Sequence, residues 1–368
     1  MTCKDRVIAA IQRQPADRIP VYDSFWLDTL SRWRQEGLGQ NVAPEDYFDF
    51  DIHVMGVDAS PRFTPELLKD EDEMITIRDR FGYVVKKEKN KSRTMSFLSH
   101  PVTNRQKWEA IKDQFRIDHD EPARVGLNPF PFQLDMGTSW QQVHNDYNQL
   151  RRKDKYILGS AYGPYETILR LHGFEKTLYS LCDCPDLLEE IAETYTDFLI
   201  DVISESVQQQ VVFDGFFLME DLAATNGMLF SPALWRQIFR PSMAKIGTFL
   251  KSQGIHFWMH CCGNAEPVFQ DLIDCGLEVL NPLEAKSGLD VCLLKDTYGQ
   301  KLTFFGNIDV TKMSGTDQEI EEEIRRKITT ARQGGGYIYH SDHSIPPNVS
   351  WQRYQQIMEM VKQYGAYE

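Results

Sequence analysis

The sequence predicts an α/β fold, a (β/α)8 barrel of the TIM type. Three observations carry this: short β-type runs alternate with longer stretches of helical period from about residue 150 onward, the runs total eight, and polar residues collect directly after them. In order along the chain, a helix over 4–13 leads into the first strand, Ile19-Pro20-Val21-Tyr22, and a helix near 44–50 precedes the second, Asp51-Ile52-His53-Val54. Next, Met74-Ile75-Thr76-Ile77, Tyr83-Val84-Val85-Lys86 and Thr94-Met95-Ser96-Phe97 alternate apolar with polar around turns at Phe81-Gly82 and Lys89-Asn90-Lys91. Period-two alternation predicts a small antiparallel insertion, roughly 74–98. Six further strands follow: 156–159, 211–218, 255–259, 278–280, 302–305 and 337–339.

Helix signals fill the intervals. Ser231-Pro232 caps and starts a helix over 232–252 that Gly254 closes, and Thr316 with Glu319 forms a capping box before a helix over 317–333 closed by Gly334. Gly334-Gly335-Gly336 ends a helix and enters a strand, the reverse of the order that aims N–H groups at a phosphate, so it reads as a C-cap. With no Pro/Gly/Ser linker, low-complexity tract or fixed-period repeat, residues 1–368 are expected to form one barrel domain with an N-terminal elaboration.

Composition narrows the partners. Of 368 residues, 42% are apolar and 26% charged, and 40 Lys plus Arg against 54 Asp plus Glu leave a net charge of −14. That field repels nucleic acid and anionic membranes. The seven cysteines form an odd set without secretory spacing, so reduced thiols and a cytoplasmic location are expected. The apolar run Val7–Ile11 is too short for a signal-peptide core, and no 18-residue apolar run exists.

In a barrel the residues just after each strand lie on the C-terminal face, where barrel enzymes place their chemistry. Those residues here are Glu220-Asp221, His260-Cys261-Cys262-Gly263, Asn281-Pro282, Gly306-Asn307-Ile308-Asp309 and His340-Ser341-Asp342-His343. Residues two apart on an extended chain point the same way, so His260 and Cys262 share a face while Cys261 turns into packing. An imidazole beside a thiolate is a half-site for zinc, and His343 is the choice for a third ligand. The pair alone leaves open an inert buried thiol beside a core imidazole. Glu220-Asp221 either caps the next segment or supplies a fourth ligand, a general acid or a partner that fixes an imidazole. Asp309 is either a turn residue or a catalytic acid. The segment Tyr162-Gly163-Pro164-Tyr165-Glu166 serves either core packing or the wall of a pocket for a flat or quaternary-ammonium group.

Taken together, His260-Cys261-Cys262-Gly263-Asn264, Gly306-Asn307-Ile308-Asp309 and Asp342-His343-Ser344-Ile345-Pro346-Pro347 resemble the uroporphyrinogen decarboxylase superfamily, specifically its zinc- and corrinoid-dependent methyltransferase branch. The likeness runs over nearly the whole chain. It includes Arg6-Val7-Ile8-Ala9-Ala10 with Asp17-Arg18-Ile19-Pro20-Val21, Gly163-Pro164-Tyr165-Glu166 with His172-Gly173, Cys184-Pro185-Asp186-Leu187, and Asp221-Leu222 with Ser231-Pro232.

The resemblance implies zinc on a His-x-Cys pair, here His260 and Cys262, plus a further Cys near the last strand. At that third position this chain has His343 instead, so the implied set is two His and one Cys. One thiolate leaves zinc a net charge near +1 and makes it the harder Lewis acid, which suits loss of a methyl group from oxygen. The implied reaction moves a methyl group from a small, O-methyl substrate to the Co(I) of a corrinoid protein, with Glu220 and Asp309 as candidate catalytic residues. No part of the chain reads as a separate corrinoid-binding domain, so cobalamin is expected on a partner. The alternatives are a decarboxylase or lyase of the uroporphyrinogen decarboxylase type, and a methylcorrinoid:thiol methyltransferase. Porphyrin decarboxylation is disfavoured because Pro20-Val21-Tyr22-Asp23-Ser24-Phe25-Trp26 stands where that enzyme carries arginines, and no arginine follows until Arg32.

Overall fold

Parallel strands covered on both faces read as continuous apolar runs, and these build the sheet. The computed structural model describes residues 1–89, 91, 95–127 and 137–367. Its strands in chain order are β1 (Ile52–Val57), β2 (Glu66–Asp70), β3 (Met74–Arg78), β4 (Val84–Glu88), β5 (Met95–Ser99), β6 (Val125–Leu127), β7 (Tyr156–Tyr162), β8 (Gly215–Met219), β9 (Ala223–Ala224), β10 (Gly227–Met228), β11 (His256–Cys261), β12 (Val279–Pro282), β13 (Thr303–Phe305) and β14 (Tyr337–Ile338). Neighbours run parallel in the order β1-β7-β8-β11-β12-β13-β14, and β6 adds antiparallel to the end of β1.

The segment 19–22 closes the ring. On one side Tyr22 N–H donates to Tyr339 O (3.2 Å) and Tyr339 N–H to Pro20 O (2.9 Å); on the other, Asp51 N–H donates to Val21 O (2.9 Å). With it, each of the eight expected barrel segments is in place, seven as strands and 19–22 as a bridged segment. The Asp51 carboxylate reinforces the seam by accepting from Val21 N–H (2.7 Å), Arg6 Nη1 (2.5 Å) and Arg18 Nη1 (2.6 Å).

The period of two decides what fills the barrel. Ile52, Tyr156, Leu158, Phe217, Trp258, Val279, Phe305 and Ile338 point inward and pack together, and Val7, Ala10 and Ile11 of the helix Cys3–Ile11 plug the bottom. Their sequence neighbours Ile157, Phe216, Phe257, Leu280, Phe304 and Tyr337 point outward into the layer of helices. Each such fully buried side chain stabilises the fold by roughly 1.5–3 kcal/mol.

Several elements differ from expectation for local reasons. Ladder pairing at 211–218 begins only at Asp214, whose N–H donates to Ile157 O (2.8 Å), because Val211 N–H turns back to Ser206 O (2.9 Å) to finish the preceding helix. The helix expected over 232–252 is two, Pro232–Ile238 and Arg240–Ser252. Pro241 has no N–H to continue the ladder, and the chain breaks at Phe239. The insertion is a four-stranded antiparallel sheet in the order β2-β3-β4-β5; its extra strand, β2, is exposed throughout and shows no alternation. Asn90 of the expected turn and Thr94 of the expected strand lie outside the described residues.

The capping box at Thr316 and Glu319 forms as expected. Gly335 has φ +78, and a Cβ there would lie 2.4 Å from Gln14 N, so this turn requires glycine by both conformation and approach. Among the described residues no helix is long and apolar enough to cross a membrane.

Candidate metal centre

At the C-terminal end of β11 the alternation carries Trp258, His260 and Cys262 onto the inner face, and Cys261 points away into the core. His260 Nε2 lies 3.3 Å from Cys262 Sγ. Which ring nitrogen faces the thiol is settled by Asn281 at the end of β12. The Asn281 amide donates from Nδ2 to Phe305 O (2.9 Å), which leaves its Oδ1 to accept from His260 Nδ1 (2.6 Å). The ring proton therefore sits on Nδ1, and Nε2 presents its lone pair toward Cys262.

Cys262 is the hinge of two donor groups: Asp221, His260 and Cys262 have ligand atoms within 4.8 Å of one another, and so do Cys262, Glu284 and His343. Asp221 Oδ1 also accepts from Cys262 N–H (2.8 Å), and Glu284 Oε2 from Gly263 N–H (2.9 Å), so both carboxylates brace the backbone of the strand end. His343 arrives on the loop after β14, its ring stacked on Trp26 at 5.5 Å. Burial first, and then the Asp221 carboxylate, push the Cys262 thiol far above its ordinary range. A thiol held protonated among two carboxylates and two imidazoles, with Lys286 against Glu284 (3.1 Å), is a site whose charge a divalent cation would balance. Nitrogen, sulfur and carboxylate oxygen are the donors that zinc takes. The residues present fit that ion.

Of the residues singled out in the sequence, the structure sets Cys262 beside each imidazole in a separate donor group, His260 with Asp221 and His343 with Glu284, and it sends the other two elsewhere. Glu220 does not reach the mouth. On β8 the inward set is Phe217, Met219 and Asp221, so Glu220 faces outward, where its fully buried carboxylate accepts from Tyr165 N–H and Glu166 N–H (3.0 Å each). These are the first free donors of the helix Pro164–His172, and the carboxylate caps it. Burial raises its pKa to about 8. Asp309 stands at the rim, and its Oδ1 caps the short helix Val310–Met313 through Thr311 N–H (2.9 Å). Asn281 was passed over in the sequence reading as a site residue, although its place directly after a strand was visible.

The centre opens into a chamber of about 730 Å³ walled by Tyr22, Trp26, Phe217, Phe305, Asn281 and His340. Outward it meets the mouth, where Tyr162, Glu166 and Arg170 stand; the Arg170 guanidinium is held by Glu166 (2.9 Å) and lies over the Tyr162 ring at 4.6 Å.

A family model described as uroporphyrinogen decarboxylase (URO-D) matches residues 141–364. A protein named uroporphyrinogen decarboxylase from Pseudomonas fluorescens is 25% identical over 206 residues, 52% of this chain and 53% of that one, so this match spans about half of the relative's length. One of the same name from Pseudomonas syringae pv. syringae is 21% identical over 369 residues, covering 94% and 92%. A solved structure titled methyltransferase from Methanosarcina mazei superposes with a TM-score of 0.66 at 19% identity, covering 100% of both chains. At that identity the likeness is one of fold.

Proposed function

We propose, from the premise that the chain belongs to the uroporphyrinogen decarboxylase (URO-D) family, that it is a zinc-dependent methyltransferase. It passes a methyl group from a small methylated substrate, an O-methyl compound, to the corrinoid of a separate protein, with residues 1–368 acting as one barrel unit. The observation that carries this reading is Cys262, whose sulfur is shared by two donor groups at the inner end of an aromatic chamber. His260, Cys262 and His343 would hold the ion, with Asp221 or Glu284 in reach as an oxygen ligand. Zinc held there would supply Lewis acidity, the chemistry that stabilises negative charge on an oxygen losing a methyl group.

The chain's own residues do the rest. Asn281 fixes the His260 ring, Trp26 backs the His343 ring, and Tyr22, Trp26, Phe217 and Phe305 offer flat apolar faces that hold an aromatic group and exclude water. The chamber does not suit the alternative substrate of the family. A porphyrinogen rich in carboxylates needs cations, yet Lys153 of the chamber wall is paired with Asp46 (2.7 Å), and at the mouth Arg170 is engaged by Glu166 and Lys286 by Glu284.

The test offers methoxylated aromatics with reduced free cobalamin to the purified protein and follows the absorbance of the cobalamin as it takes up methyl; uroporphyrinogen is offered in parallel with CO2 as the readout. Methyl uptake supports the proposal. Release of CO2 without methyl uptake would replace it with decarboxylation.

A further inference from the structure

One buried polar row in the chamber has no part in holding a metal. His340, on the inner face after β14, is 6% exposed; its ring lies parallel to Tyr22 at 6.0 Å and edge-on to Phe305 at 4.7 Å. Its Nδ1 is bonded to the Ser341 carbonyl oxygen, which only accepts, so Nδ1 carries the ring proton and Nε2 is an acceptor. Burial lowers its pKa to about 3 and keeps the ring neutral.

From Nε2 the row continues to Ser24 Oγ at 3.4 Å and from there to Ser344 Oγ at 3.0 Å. A hydroxyl has one proton to give. If Ser24 donates to Nε2, Ser344 donates to Ser24, and the row ends in lone pairs on Ser344. If Ser24 donates to Ser344 instead, Nε2 itself is the vacant acceptor. Either way an acceptor is left toward the chamber, and in the second arrangement Ser344 also keeps a proton to give, so the group that meets both is one that donates and accepts, as a hydroxyl does. All three residues line the chamber, and the buried Asp23 carboxyl lies behind them, its Oδ1 3.8 Å from Nε2.

We infer that the Ser24–Ser344–His340 row receives a hydroxyl group of the substrate, so that the methyl donor is an aromatic methyl ether carrying a free hydroxyl. The naming of an ether rests on the function proposed above; the reading of a hydroxyl does not. A ligand lacking the hydroxyl leaves the buried acceptors unpaired, which is how a polar site rejects an apolar analogue.

Calorimetric titration with 2-methoxyphenol and with methoxybenzene, which removes the hydroxyl without adding bulk, measures the difference directly. The phenol is expected to bind at least about tenfold tighter. Ser344→Ala combined with His340→Phe, which removes both terminal acceptors, should bring the two within about threefold with methoxybenzene binding retained, and Ser24→Thr, which keeps the row, should preserve the gap. Equal binding to the wild-type protein, or a gap unchanged when both Ser344 and His340 are replaced, overturns the inference. Methyl transfer is read separately: a preserved binding gap with no methyl reaching cobalamin upholds the hydroxyl-reading row and removes the proposed function.

Discussion

Asn281 decides which nitrogen His260 offers, and its effect on a metal can be measured apart from catalysis. Outer partners of metal-binding histidines are worth about 10–100-fold in affinity. Asn281→Leu should therefore weaken zinc binding by about that factor in a chelator competition, whereas Asn281→Asp, which still accepts from Nδ1, should stay near wild type. A second residue-scale prediction concerns pH. Asp23 is fully buried, and that burial raises its pKa to about 7 despite hydrogen bonds from Ser341 and Tyr354. A carboxyl raised on folding binds its proton more tightly in the folded state, so its contribution is complete below the unfolded value near 4 and is lost as pH rises through about 7. Urea unfolding between pH 4 and 7 should show a fall of up to about 1.4 kcal/mol per pH unit that Asp23→Asn removes. The nearness of His260 to Cys262 was legible because H-x-C is local, whereas the split of the two imidazoles between Asp221 and Glu284 was not, since those carboxylates come from other strand ends. Glu220 was misplaced because it was read with Asp221 as a pair, whereas a strand puts adjacent residues on opposite faces.

Helices and strands were legible where their signals are chemical and local, as at the Thr316 capping box, and illegible where neighbours in space decide. β2 has no alternation because both its faces are exposed, and its pairing with β3 is what makes it a strand. Pro241 was readable as a break but lies inside a run of helical period that outweighed it. The helix Pro164–His172 gives the element-scale test. Its first N–H groups have no side-chain cap from Gly163, where a Cβ would lie 2.5 Å from the Glu220 carboxyl, so the cap comes from β8 instead. Glu220→Ala would leave two buried donors without an acceptor and should cost roughly 2–4 kcal/mol in urea unfolding. Zinc content measured on the same sample should be unchanged, because the side chain faces away from the chamber. A loss of zinc without a loss of stability would return Glu220 to the metal centre.

At the scale of the whole molecule the barrel is uneven. Most neighbouring strands share several ladder pairs, as β1 and β7 do over Ile52–Gly56, but the seam at 19–22 is held by a few bonds and by the buried Asp51 carboxylate. The eight strands could be counted from the sequence because each is an apolar run; that one of them closes the ring through a carboxylate could not, since the partners of Asp51 lie at residues 6, 18 and 21. Asp51→Ala leaves Arg6, which is almost fully buried, without half of its charge partners, and leaves Val21 N–H without its acceptor. Breaking a buried pair in this way costs about 3–5 kcal/mol. The loss should be local before it is global: hydrogen exchange is expected to speed first at Val21, Tyr22 and Tyr339, while the amides of β7 and β8 across the barrel keep their protection until the whole fold melts. Because Tyr22 and His340 flank this seam and line the chamber, ligand binding should weaken along with it. Uniform acceleration of all strands in Asp51→Ala would mean that the seam opens only with the barrel as a whole.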